Sequence, residues 1–572
     1  MKKLLLSLKF YKKECVIAPL FKMLEAIFEL FVPLIVADII DVGVPANDGA
    51  YIFRRVLLMI AFGVIGLSCT LIAQYFAARA AVGFGSLTRR ALHKHIYTLS
   101  YSELDNIGTD TLLTRLTSDI NQVQNCVNLT IRLLLRSPFI VFGAMIMAFT
   151  VDKKSATTFA VMIPALSVIV FGIMILTIPL YKKVQLSLEK VMSKTRGNLS
   201  GVRVIRAFCR QDREIDEFEA ENNLLNKLNR LTARICALQS PLTFAVVNLA
   251  VVALIYTGAF RVDAGDLSQG QLVALYNYMS QILIELVKLA SLIITITKSV
   301  ACGNRIQAVF DTAPSMKSGN KKIAKIEEIQ FSNVSFCYPK SSDNAINNIS
   351  FKAKQGQTVG ILGGTGAGKT TLINLIPRFY DITSGDIQIN GRSISQYDLN
   401  SLRNRIAVVP QKASLVSGSI RDNLLWGDKN ATDDEIYTAL DIAQASDFVK
   451  EKQGGLDFEL SASGTNLSGG QRQRLTIARA LVRKPDVLIM DDSLSALDYA
   501  TDLKLRTALR NIENPPLTFI VTQRASSIVH ADAIIVLDDG EAVGVGTHSE
   551  LLDNCEVYRE IYYSQFEKGG AR

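Results

Sequence analysis

Hydrophobic positions are unevenly shared along the chain, and most of them lie before residue 300. Residues 56–78, 156–181 and 235–260 contain no charged side chain. Each is long enough to cross a hydrocarbon layer of about 30 Å as a helix. Residues 137–151 form a shorter run that extends backwards through 128–136, and 15–40 and 268–297 are apolar with a few charges. The pattern predicts six transmembrane helices in a domain spanning residues 1–310. The connections 41–52 and 261–267 are short and poor in Lys and Arg, whereas 82–127 and 182–234 are long, basic and helical in pattern. Basic loops stay on the cytoplasmic side, so both termini are expected in the cytoplasm, with two long helical hairpins reaching toward something soluble.

The pattern changes after a polar, basic linker at 311–327. Short β-branched runs (IQFSNVSF, TVGILG, IAVVP, VLIMD, TFIVT, AIIVL) alternate with helical stretches through 328–572. That alternation predicts an α/β domain, a parallel sheet wrapped by helices. A chain of 572 residues is too long for one core in any case.

Composition sharpens the membrane assignment. The apolar fraction is 49% and the mean hydropathy +0.24. The net charge of +9 sits in segments flanking apolar runs, which points to a lipid bilayer as partner and not to nucleic acid. The eight cysteines lie far apart with no C-x-x-C pair, which argues against a zinc site or disulfide frame; Cys69 and Cys236 are expected as small core residues. The opening MKKLLLSLKFYKKE has a short apolar run, a second basic cluster and no small-x-small cleavage site, and reads as a retained interfacial helix. Lys22, Glu25 and Glu29 share one face of the first span, and Glu285 and Lys288 form an i,i+3 pair in the sixth. These charges suit either a substrate-facing patch or pairing that fixes packing. Arg132 and Arg136 are expected to snorkel to an interface.

The chemistry lies in the second half. After the strand TVGIL comes Gly363-Gly364-Thr365-Gly366-Ala367-Gly368-Lys369-Thr370, followed by Thr371 and a helical run. Glycines at this spacing let backbone N–H groups converge on phosphate oxygens at a helix N-terminus; Lys369 then reaches the β/γ-phosphates and Thr370 the Mg²⁺. VLIMD supplies the complementary metal carboxylate, Asp491. ATP and Mg²⁺ are the expected ligands.

Between these motifs stands Leu467-Ser468-Gly469-Gly470-Gln471. With the phosphate loop before it and VLIMD after it, this LSGGQ resembles the signature of ATP-binding cassette (ABC) transporters. The order Tyr338, GGTGAGKT, Gln411, LSGGQ, VLIMD and SALD is similar to that family's nucleotide-binding domain. The upstream half resembles its six-helix exporter-type membrane domain, with LLTRLTSDI and GVRVIRAF like its cytoplasmic stretches. The resemblance implies that Tyr338 stacks on adenine and that Gln411 touches Mg²⁺ and senses the membrane domain. Ser468, Gly469, Gly470 and Gln471 would bind the γ-phosphate of a nucleotide held by another chain, and Asp498 would couple two sites across the interface. The family works as two cassettes head-to-tail, so a chain with one cassette must pair.

Three positions depart from that family's pattern. Asp492 stands where the family has the glutamate that polarises the attacking water; it is one methylene shorter, and a misplacement of about 1 Å costs about 10²-fold. Gln523 replaces a histidine, and an amide cannot become an imidazolium. Leu460-Ser461-Ala462-Ser463-Gly464 lacks both charges of the corresponding V-G-E-R-G stretch. ATP is therefore expected to bind at this chain's loop and to be hydrolysed slowly. A different second half-transporter chain would supply the competent glutamate and histidine against this chain's LSGGQ. The expected activity is ATP-driven export of a small amphipathic substrate from a bacterial cell membrane; an ATP-gated channel or sensor, or an importer of the same architecture, are the alternatives.

Overall fold

The computed structural model describes residue 4, residues 6–339 and residues 341–565; Met1–Lys3 and Leu5 of the expected interfacial helix, and the last seven residues of the expected 328–572 domain, lie outside the described residues. The chain divides into two units. One comprises Met1–Tyr97 and Thr109–Thr312, the other Thr98–Gly108 and Ala313–Arg572.

The first unit is helical. Its main helices are α1 (Lys12–Asp38), α2 (Gly49–Ile96), α4 (Ile120–Leu133), α5 (Arg136–Val151), α6 (Lys153–Ser200), α7 (Gln211–Ala237), α8 (Gln239–Asp263) and α9 (Gln269–Asp311). The hairpins expected at 82–127 and 182–234 are continuations of the apolar helices: α2 and α6 each run unbroken for 48 residues. At 1.5 Å per residue that is about 70 Å, more than twice a hydrocarbon core. Apolar residues on these helices divide into an inward set and an outward set. Leu30, Val141, Phe159, Leu166, Leu254, Tyr278 and Ile282 pack into one core. Leu57, Leu71, Val161, Val168, Leu249 and Val252 remain exposed on the outer faces, as lipid-facing side chains would.

Among the described residues, five helical stretches are long and apolar enough to cross a membrane, not six. The expected first span does form the single helix α1. Its apolar stretch is interrupted by Lys22, Glu25 and Glu29, which sets it apart from the other five. At the far end of α1, Asp41 accepts the Gly270 N–H at 2.7 Å and the Ser268 hydroxyl. A Cβ at Gly270 would stand 2.3 Å from the Ala37 carbonyl oxygen, so only glycine lets α9 start there.

The second unit is built on two main sheets, with a small two-stranded pair of Gly418–Ser419 and Glu459–Leu460 beside them. One is antiparallel, with β1 (Glu328–Phe336), β2 (Ile346–Lys354), β4 (Ser384–Ile389) and β5 (Arg392–Ser393) in the order β2-β1-β4-β5. The other holds β3 (Thr358–Gly363), β6 (Ile406–Val409), β7 (Val487–Asp491), β8 (Leu517–Thr522), β9 (Ala533–Asp538) and β10 (Glu541–Gly546) in the order β10-β9-β3-β8-β7-β6. All but β10 run parallel. Strands β7 and β8 are buried at every position, which is why their sequences are apolar without alternation; β10, at the edge, alternates. The short helix α3 (Tyr101–Ile107) belongs to this unit: its Tyr101 ring lies 4.8 Å from that of Phe379, and Asp105 accepts a hydrogen bond from Tyr380 Oη at 2.7 Å.

Candidate functional site

Parallel strands leave their C-terminal ends on one edge of the sheet, and that edge carries the chemistry. The phosphate loop follows β3 and opens helix α10 (Lys369–Leu375), while Asp491 ends β7. Gln523 follows β8, which lies between them, and Gln411 follows β6 two residues on. The pairing of Val521 with Asp491 and of Thr522 with Leu362 fixes this register.

The loop has the form that phosphate binding requires. Gly363, Gly366 and Gly368 have φ of +159°, +87° and +90°. A Cβ at Gly368 would stand 2.6 Å from the Ala345 carbonyl oxygen, whereas at Gly364 and Gly366 it would meet open space. Ala367 is buried beneath the loop, while Gly364, Thr365 and Gly366 are exposed. The Lys369 ammonium donates to the carbonyls of Gly363 at 2.9 Å and Gly364 at 2.5 Å, so it is already folded back over the loop. Burial holds its pKa below the usual lysine value, with Asp492 and Asp491 acting against that shift. Thr370 Oγ1 lies 3.1 Å from both carboxylate oxygens of Asp491. Burial raises the Asp491 pKa and the nearby Asp492 adds to that, while the Thr370 hydrogen bond and Lys369 lower it. A hydroxyl and a carboxylate in contact, beside a phosphate cradle, fit a Mg²⁺ ion carried in with a nucleotide. Among the described residues no group of three His, Cys, Asp or Glu side chains gathers to hold a metal by itself.

Asp492, Gln411 and Gln523 are less buried than Lys369 and Asp491. Asp492 is half-buried and has φ +44°, a left-handed conformation that Asp tolerates better than most residues. Its N–H donates to the Val521 carbonyl at 2.9 Å and its carbonyl accepts from Ser495 Oγ at 2.7 Å. Its carboxylate accepts from the Gln411 amide at 3.3 Å. The sequence offered no signal for that contact. Gln523 is exposed, and its main-chain carbonyl accepts from Gln565 Nε2 at 2.7 Å. Gln565 also accepts the Ala525 N–H at 2.8 Å, so one side chain at the end of α13 (Glu556–Gln565) clasps the backbone on both sides of Arg524. Tyr338 lies edge-on to Phe336 and Tyr380, and its hydroxyl is 3.1 Å from that of Thr371.

The LSGGQ residues stand apart from the phosphate loop, on helix α11 (Gly469–Val482). Ser468 is its N-cap, in a capping box with Gln471, and Gly469 is exposed. That leaves the helix N-terminus free to meet an anion, as the dipole and the uncapped N–H groups favour. Asp498 is the N-cap of α12 (Tyr499–Arg510), accepting the Thr501 N–H at 3.0 Å, a local role beside the coupling expected of it. The Thr501 hydrogen bonds hold its carboxyl below the usual aspartate value.

The family described as ABC transporter transmembrane region matches residues 15–286, and the family described as ABC transporter matches residues 346–495. The uncharacterized ABC transporter ATP-binding protein YfiB of Bacillus subtilis is 35% identical over 100% of both chains. This chain is an ABC transporter. An ATP-dependent lipid A-core flippase of Desulfotalea psychrophila is 32% identical over 93% of each chain. A bacterial Atm1-family ABC exporter, solved with ATP bound, shares the fold with a TM-score of 0.82, covering 98% of this chain and 99% of that one at 21% identity. Membrane region and cassette stand on one chain in the exporter arrangement, so this ABC protein is a half-transporter, and half-transporters dimerise. Membership makes it a membrane-spanning ATPase coupled to transport, whose cassette binds ATP, generally with Mg²⁺.

Two expectations about single residues need correction. Arg136 does not snorkel: only 8% of its side chain is exposed, and it is paired with three carboxylates inside the helical unit. Those partners come from helices distant in sequence, so nothing local announced them. Cys69 is a buried core residue as expected, whereas Cys236 is half-buried, 3.5 Å from the Tyr181 hydroxyl.

Proposed function

We propose that this chain is the slow half of a heterodimeric export pump for small amphipathic molecules. It crosses a bacterial cell membrane through six helices, with both termini and the cassette in the cytoplasm. One observation carries the reading: Lys369, Thr370 and Asp491 are joined to the loop and to each other, while Asp492 and Gln523, where the chemistry would be done, are respectively a methylene short and unable to become cationic. Gly363 to Thr371 would hold the phosphates, Lys369 supplying positive charge, Tyr338 would face the base, and Asp491, Thr370 and Gln411 would hold Mg²⁺. Bound there, Mg²⁺ would neutralise phosphate charge.

Asp492 then has the task of orienting the attacking water. Its carboxylate accepts a hydrogen bond from the Gln411 amide at 3.3 Å and carries one methylene fewer than the glutamate of the family pattern. Gln523 can donate one hydrogen bond toward developing phosphate charge but cannot deliver a proton. Turnover at this site is therefore slow, and the dimer's hydrolysis runs at the site where Ser468, Gly469, Gly470 and Gln471 close over the partner's nucleotide. Closure of the two cassettes moves the long helical hairpins and turns the membrane cavity outward. An amphipathic cargo accords with the apolar helices and with the lipid A-core flippase among the relatives.

The test is ATP hydrolysis and ATP-dependent flux in inside-out vesicles, with the chain alone and with similar chains bearing Glu and His at the two positions. The chain alone should turn over at least about tenfold more slowly than the mixed dimer. Fast hydrolysis and pumping by the purified chain alone would sink the reading.

A further inference from the structure

Six ionisable side chains meet between α1, α5 and α9. Arg136 is the hub. Its Nη1 donates to Glu285 Oε1 at 2.6 Å, its Nη2 donates to Glu29 Oε2 at 2.7 Å, and Glu25 Oε1 stands 3.6 Å from Nη2. Glu285 also accepts from Ser137 Oγ at 2.7 Å and from Lys288 Nζ at 2.8 Å, and Lys22 Nζ donates to Glu25 at 2.5 Å. Three cations and three anions give a cluster with no net charge.

The six differ in exposure. The side chains of Lys22, Glu25, Arg136 and Glu285 are 7%, 14%, 8% and 3% exposed. These four are balanced among themselves, so they suffice as a structural cluster. Glu29 and Lys288 are 40% and 43% exposed, one of each sign. A charge turned toward hydrocarbon is costly, and intramembrane charges face a bundle interior or a water-filled path. Packing therefore accounts for the inner four and not for the outer two. The outer two retain bonding capacity: Lys288 uses one of its three N–H donors on Glu285, and Glu29 uses one oxygen on Arg136. Ile284, 53% exposed, lies one helical turn before Lys288 on the same face of α9 and offers apolar contact beside the charge.

We propose that Glu29 and Lys288 form the head-group site for a zwitterionic amphiphile, the carboxylate taking its cation and the ammonium its anion. The inference rests on the export reading and adds its substrate class. Neutrality selects the class. A guest with a single charge would leave the low-dielectric cluster charged, whereas a dipolar head with no net charge pairs both outer groups and keeps the balance.

The experiment uses the full chain, in whichever dimer it forms, reconstituted in phosphatidylglycerol vesicles so that the bilayer supplies no zwitterion. Dodecylphosphocholine, dodecyl sulfate and dodecyltrimethylammonium are compared for ATP-dependent movement and for stimulation of hydrolysis. The phosphocholine should act at about tenfold lower concentration than either singly charged probe. Glu29→Gln should shift the preference to the sulfate and Lys288→Gln to the ammonium, a crossing that lost packing would not produce. If the three probes act alike, or if both variants weaken all three equally, as lost pairing with a partner chain would, the proposal falls and the export reading stands. If ATP binds and no probe of any charge moves, both fall.

Discussion

The two halves of the nucleotide site stand on the same sheet edge but are built differently. On the binding half, Lys369 and Asp491 are nine-tenths buried, each tied to loop or neighbour, with Thr370 bridging to the carboxylate. On the half proposed to do the hydrolysis, Asp492 is half-buried in a left-handed conformation and Gln523 is exposed. The Asp492 carboxylate meets the exposed Gln411 amide at 3.3 Å. On the proposed reading, a buried, interconnected binding half beside a shortened hydrolytic half would hold a nucleotide longer than it takes to cleave one. Such a site would serve, on that reading, as a closure element for a dimer whose turnover is set by the other site.

The largest effect should come from the binding half. Lys369→Ala removes the only ammonium folded over the loop among the hydrogen bonds described there, and charge-assisted hydrogen bonds contribute about 1.5–3 kcal/mol each. ATP affinity measured with a fluorescent analogue should fall roughly 10- to 100-fold, and unchanged affinity would break the contrast. The hydrolytic half should respond in the opposite direction. Asp492→Glu together with Gln523→His should raise the turnover of the isolated chain by about tenfold or more, since roughly 1 Å of misplacement costs up to 10²-fold. A rate that stays flat in the double variant would count against the proposed slow site.

A third effect follows from Asp491. Its pKa lies above the ordinary aspartate value, so the protonated form is favoured in the fold, and the contribution to stability is fully present below the ordinary value and lost as pH rises through the raised one. Mg²⁺ needs the ionised form. Acidification should therefore weaken Mg²⁺-dependent ATP binding at a higher pH than an ordinary aspartate would, and Asp491→Asn should abolish both the Mg²⁺ dependence and its pH profile. Titrating ATP affinity with and without Mg²⁺ from pH 7 downward checks this; a profile identical in the variant would refute it.

The contrast also marks what the sequence could disclose. The loop, VLIMD and LSGGQ are contiguous motifs on strand ends and a helix start, so each was readable where it stands, and the full burial of β7 and β8 explains their unbroken apolar runs. The left-handed Asp492, the contact of Gln411 with Asp492 and the tie between Tyr338 and Thr371 depend on residues 33 to 81 positions apart and on local backbone, which no periodicity encodes. In the helical unit the same holds more strongly. Lys22, Glu25 and Glu29 were visible as one face of a helix, but Arg136 joins them from 107 residues beyond Glu29.

The smallest effect should come from Gln565, and it tests whether the hydrolytic half is held from outside the sheet edge. Its amide donates to Gln523 and accepts from Ala525, fastening the strand exit on which Gln523 sits. Each such hydrogen bond contributes about 1 kcal/mol, so Gln565→Ala should loosen that turn without touching the phosphate loop. Hydrogen exchange at the Ala525 amide should then quicken by about fivefold to thirtyfold, corresponding to 1–2 kcal/mol, while protection of the amides in α10 stays as it was. Turnover should change by no more than about threefold, because the residue being released cannot transfer a proton in either position. If the α10 amides lost protection in parallel, the two halves would be one cooperative unit, and the division into two halves would have to be given up.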